Sequence, residues 1–142
     1  MTVRIVAAAA LYFLIVFAVG FACGPVRVIW LEPRLGEIVA VLCEAPVLLG
    51  AMVLAARRLP GAVRLRRSVA TLAGIGVGAL VLQQLADFAV GILLRGMTPA
   101  QLVAHFATPA GMIYAALLIA FATMPVLANS PRTRRAEKRL PG

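Results

Sequence analysis

Glu44 stands near the middle of the run 38–56, which is otherwise apolar and long enough to cross a membrane. An acidic group at the centre of a spanning helix costs about 2.5–3.5 kcal/mol on insertion scales, so it is expected to face a partner, a water-filled cavity or a protonation equilibrium. Pro46 follows two residues later; lacking an N–H, it leaves a carbonyl near residue 42 free to meet water or a side chain. At about 1.5 Å per residue, Glu44 lies roughly 20 Å from the arginine-rich end of its run, and Gln83 and Gln84 lie roughly 22–24 Å into theirs. Glu37 and Asp87 share a second layer at roughly 28–30 Å. Glu37 and Glu44 are seven apart and Gln83 and Asp87 four apart, so each pair projects from one helix face, with Arg34 three residues before Glu37. If the second and third spans pack together, Glu44, Gln83, Asp87, Glu37 and Arg34 form an internal polar stripe with Arg27, Arg95 and His105 at its mouth. Two kinds of chemistry fit such a stripe: hydrogen bonding that fixes helix packing, at about 0.6 kcal/mol per bond on average, or the handling of a proton, ion or ligand.

These residues have to be positioned by helices in a bilayer. The chain of 142 residues is 63% hydrophobic and 13% charged, about half the charged share of a soluble domain. Apolar runs at 5–26, 38–56, 68–94 and 106–128 each reach the roughly 18–20 residues that a span requires, and they lack the short alternation of barrel strands. The fold class expected is all-α, a four-transmembrane-helix bundle with a short amphipathic interfacial helix between helices three and four. The spans expected are about 5–24, 34–56, 68–94 and 109–128, forming one membrane domain over 1–128, with a basic cytoplasmic tail at 129–142. The first run exceeds the apolar core of a signal peptide and lacks an A-x-A site, so it reads as a retained helix.

Charge sets the orientation. Of fourteen basic residues, eleven fall on one side of a four-span chain: Arg4, the link Arg57, Arg58, Arg64, Arg66 and Arg67, and the tail Arg132, Arg134, Arg135, Lys138 and Arg139. Three, Arg27, Arg34 and Arg95, fall on the other, so both termini are expected in the cytoplasm of a bacterium with the protein in its inner membrane. The net charge of +9 then serves topology and attraction to anionic headgroups rather than nucleic acid. Cys23 and Cys43 lie in or beside apolar helices and read as small hydrophobes. His105, the sole histidine, reads as a solvated loop residue. No nucleophile elbow, H-E-x-x-H motif or phosphate loop is present in the sequence, so no catalytic residue, metal ligand or cofactor is assigned.

Local signals punctuate the spans. Gly24-Pro25 is expected to end the first helix, leaving a short link at 26–32 in which Trp30 suits the interfacial belt. Pro33 opens the second helix, and Leu59-Pro60-Gly61 breaks the chain beyond it. Thr98-Pro99-Ala100-Gln101 has the form of a capping box for a helix over 99–106, and Thr108-Pro109 caps the fourth span. Gly20 with Gly24 and Gly74 with Gly78 are spaced for close helix contact, within the monomer or across a homodimer.

The segments Gly24-Pro25-Val26-Arg27, Glu32-Pro33-Arg34-Leu35-Gly36-Glu37, Ala40, Glu44-Ala45-Pro46, Phe106-Ala107-Thr108-Pro109-Ala110-Gly111 and Phe121-Ala122-Thr123-Met124-Pro125 resemble a pattern in small four-span bacterial inner-membrane proteins of unassigned function. The resemblance implies that membrane and brings no activity with it. Small multidrug exporters also have four helices and one embedded glutamate, but theirs is in helix one, which is acid-free here, and many lack this charge bias. The expectation is a non-enzymatic accessory or scaffolding protein, with a homodimer or another membrane protein as partner. The alternatives are a small proton- or ion-coupled transporter acting through Glu44, and a protein or enzyme that binds a lipid headgroup at the periplasmic face through Arg27, Arg34, Glu37 and His105.

Overall fold

The computed structural model describes residues 2–130 together with Arg135, Lys138 and Arg139. Its elements are α1 (Thr2–Val26), a π-helical segment (Arg27–Leu31), α2 (Glu32–Leu35), α3 (Glu37–Ala62), α4 (Val69–Leu93), α5 (Pro99–His105) and α6 (Pro109–Ala128). Arg132 and Arg134 of the basic tail lie outside the described residues. The described chain is all-helical, and four stretches are long and apolar enough to cross a membrane: Thr2–Leu35, Glu37–Ala62, Val69–Leu93 and Pro109–Ala128. This is a multi-pass membrane protein.

The first span does not end at Gly24-Pro25. Helical backbone runs through Pro25 and the π segment to Leu35, so the expected link at 26–32 is itself helix. A proline inside a helix forfeits one backbone bond, whereas leaving the helix in an apolar medium strands several, so the chain stays helical. The turn falls at Gly36, whose φ of 82° and ψ of 160° belong to a region that is essentially glycine's. Pro60 is likewise absorbed into α3, which ends at Ala62 with Val63 as its C-cap rather than at Leu59-Pro60-Gly61. Elsewhere the caps expected at Thr98 and Thr108 are present, and the structure adds one at Ser68. Ser68 caps α4 at the Thr71 N–H, Thr98 and Gln101 form a reciprocal capping box at α5, and Thr108 caps α6 at the Gly111 N–H.

The spans form a ring in which α1 touches α3 and α4, and α6 touches the same two from the opposite side. Helices α3 and α4, the second and third spans, therefore face each other diagonally instead of packing together. Where α1 and α6 meet across the other diagonal, Tyr12 stacks on Phe121 with ring centroids 4.7 Å apart and planes 9° apart. The Tyr12 hydroxyl donates to the Phe121 carbonyl at 2.9 Å, giving a buried phenol its necessary partner. At the end of the bundle that carries Thr2 and Ala128, Asn129 Nδ2 donates to the Ala56 and Pro125 carbonyls at 2.8 and 2.9 Å. Ala8, Ala9, Met52, Ala55, Leu72, Ile75 and Ala79 fill this half.

Small residues let the helices close there. A Cβ on Gly76 would stand 1.9 Å from the Ala122 carbonyl oxygen, so α4 and α6 touch backbone to backbone. Gly74 and Gly78 face Ile5 and Ala9 of α1, and Gly20 faces Leu48 of α3. Gly24 meets no neighbour within 4 Å, so the expected Gly20/Gly24 contact reduces to Gly20 alone. Gly76→Ala is expected to destabilise the bundle by about 1–3 kcal/mol through overpacking against backbone that cannot move aside, whereas Gly24→Ala should cost nothing. Thermal unfolding of both variants in detergent checks this; equal melting temperatures would contradict the close crossing.

Candidate functional site

The half of the bundle beyond Phe121 is not filled. A cavity of about 550 Å³ occupies it, lined from all four spans and from α5. Its rim includes Glu37 and Arg95, which are exposed, with His105 and Leu102 of α5 beside them. Its lower walls are apolar: Val16, Phe17, Leu48, Met52, Leu117 and Phe121. Phe121, stacked on the fully buried Tyr12, lines the space on the side of the chain termini.

Two polar clusters stand between rim and floor. In the first, Arg27 Nη1 donates to Glu44 Oε2 at 2.9 Å, and its Nε lies 3.3 Å from Glu32 Oε1. Glu44 is 8% exposed, so the ion pair neutralises a carboxylate that water scarcely reaches. Arg27 can turn inward because α1 continues past Pro25. Carried on the first π-helical residue, it reaches a carboxylate two turns down the next span. In the second cluster Gln83 Nε2 donates to Asp87 Oδ1 at 2.9 Å from one turn away on α4, and the Tyr114 hydroxyl donates across from α6 to the other carboxylate oxygen. Phe106 packs near Tyr114 with ring centroids 6.1 Å apart. The Gln84 amide nitrogen is buried on the cavity wall with no protein hydrogen-bond partner.

The residues singled out from sequence divide accordingly. Glu44, Gln83, Asp87 and Glu37 all line the one cavity, as do Arg27, Arg95 and His105. They form no continuous stripe, because α3 and α4 pack against α1 and α6 rather than against each other; the Arg27–Glu44 and Gln83–Asp87–Tyr114 groups sit on different walls. Arg27, expected at the mouth, is the deeper partner of Glu44. Arg34 is elsewhere. Gly36 breaks the helix between it and Glu37, which removes the shared face, and its guanidinium carbon lies 5.0 Å from the centroid of the exposed Trp30 ring. Tyr114 is an addition that sequence reasoning missed. Tyr114 could have been found from the spacing of Ala110, Tyr114, Leu117 and Phe121, one face of α6 that turns toward the bundle. Among the described residues no group of three or more His, Cys, Asp or Glu side chains is placed to hold a metal ion.

Comparison with known proteins gives no matching family model, no matching curated protein and no matching solved structure. What the site can do follows from its geometry. A space with charged groups on one part of its wall and apolar side chains on another is shaped for a molecule with a polar head and an apolar body.

The pair at Glu44 makes a prediction. Arg27→Ala should destabilise the bundle by on the order of 2 kcal/mol, below the roughly 3–5 of a fully buried pair because a quarter of the Arg27 side chain is exposed. Adding Glu44→Gln should restore much of the loss, since the stranded charge is then removed. A double-mutant cycle on melting in detergent reads the coupling, and strictly additive losses would show that the pair contributes nothing.

Proposed function

We propose that the protein is a binding protein of the bacterial inner membrane that takes a small amphipathic molecule into this cavity from the periplasmic side, with both termini in the cytoplasm and without catalysing a reaction. The observation that carries the reading is the cavity itself, in which charged groups, an unpartnered amide and an aromatic floor converge from every span. A buried N–H without a protein partner is uncommon in folded proteins and sets this wall apart from an ordinary helix contact. The orientation rests on eleven basic residues against three, and the membrane on the resemblance to small four-span inner-membrane proteins.

Binding is favoured over the other expectations by particular contacts. A scaffold joined through Gly74 and Gly78 would need that face free, yet those glycines are packed against Ile5 and Ala9 of the same chain. A carrier using Glu44 as its proton acceptor would need an unpaired carboxylate and a path through the bundle. Glu44 is instead paired with Arg27, and Tyr12, Phe121 and Asn129 fill the other half.

Leu48, one turn below Glu44 on the same face of α3, lines the cavity and reports on access. In a chain carrying Cys23→Ala and Cys43→Ala, Leu48→Cys should react with a water-soluble methanethiosulfonate added to the periplasmic face of intact cells. It should stay unreactive in inside-out vesicles, and the lipid-facing control Leu54→Cys should react from neither side. Equal labelling of Leu48→Cys from both faces would indicate a through-path, and no labelling from either would remove the open cavity.

A further inference from the structure

We infer that the molecule this cavity accepts is an organic cation bearing an apolar group, a refinement that rests on reading the cavity as a binding site. The chain has five acidic residues, and four of them, Glu32, Glu37, Glu44 and Asp87, line this one space. Two guanidiniums, those of Arg27 and Arg95, line it with them, so the walls carry two more carboxylates than cations within a protein whose net charge is +9.

Arg27 is already shared between Glu44 and Glu32. Among the described residues no arginine or lysine pairs with Asp87 or Glu37. Asp87 accepts only from Gln83 and Tyr114, two neutral donors that orient a carboxylate without cancelling its charge. An uncompensated carboxylate inside a membrane bundle is costly, and an incoming positive charge would relieve that cost. An anionic headgroup would add to the surplus instead.

The arrangement also favours a large diffuse cation over a metal ion. The carboxylates are dispersed around the wall rather than converging on a point, and no metal-holding cluster is present among the described residues. A hard divalent ion requires several oxygen ligands at once. Aromatic rings lie beside Asp87 instead: Tyr114 touches it, Phe106 neighbours Tyr114, and Phe88 is the next residue of α4 and part of the same wall. Ring faces attract alkylammonium groups, and the apolar floor toward Leu117 and Phe121 accommodates the rest of the molecule.

Isothermal titration calorimetry on the purified full chain in detergent, with benzyltrimethylammonium as probe and benzenesulfonate as an anion of similar size, tests this. The cation is expected to bind one per chain, more tightly than tetramethylammonium and at least about tenfold more tightly than benzenesulfonate. Asp87→Asn should weaken the cation about tenfold, the loss of one close charge pair near a protein surface. Glu37→Gln, at an exposed position where folding is not at stake, should weaken it severalfold. Equal binding of cation and anion would overturn the assignment, as would unchanged affinity in Glu37→Gln together with any folded Asp87→Asn. Absence of cation binding while Leu48→Cys remains reactive from one face would overturn the cation and leave the cavity standing. Loss of that reactivity would overturn both.

Discussion

A carboxylate two turns inside a membrane bundle has to be matched by something, and at Glu44 the match comes from the preceding span. Arg27 can supply it only because α1 stays helical beyond Pro25 and carries the arginine to the level where α3 has already started downward. The single-residue turn at Gly36 keeps the two helices close enough for the 2.9 Å contact. A longer link would have given Arg27 the option of water. Proline tolerance, the π-helical segment and the glycine turn are thus one arrangement, each required by the lipid's refusal to solvate either backbone or charge.

The same refusal explains why the bundle is divided. Where α4 and α6 meet at Gly76 and Ala122, and α4 meets α1 at Gly74 and Gly78, small residues allow the ring to close and Tyr12 and Phe121 fill its centre. Toward the Gly36 end the side chains facing inward are long and charged. The Arg27–Glu44 pair and the Gln83–Asp87–Tyr114 group occupy separate walls there, and the cavity lies between them. The short helix α5 belongs to this division: Leu102 lies where a Cβ on Gly91 would meet it at 2.5 Å, fixing the chain across one edge of the opening.

The four spans and the caps at Thr98 and Thr108 could be read from the sequence because each depends on composition or local hydrogen bonding. The order of helices around the ring could not. Apolar residues surround every span, so no polar face marks which neighbour each helix will choose, and a direct α3–α4 contact was a reasonable but mistaken premise. Arg34 was misplaced for a related reason, since its face relative to Glu37 depended on a helix that Gly36 interrupts. Tyr114 passed unremarked because a tyrosine in an apolar run is also what an interfacial anchor looks like. Only the partner it meets across the bundle separates the two roles.

That partner gives Asp87 its character. Glu44 and Asp87 line the same cavity, yet one faces a guanidinium and the other a phenol and an amide. Hydrogen bonds from neutral groups fix where a carboxylate points while leaving its field uncancelled, and in a low-dielectric wall that field acts over a longer distance than it would in water. Glu44 is consequently the structural acid of this bundle, the one whose pairing holds α3 against the extended first span. Asp87 is the acid held in place by two neutral donors, and the aromatic wall beside it is the feature from which we infer a cation with an apolar group.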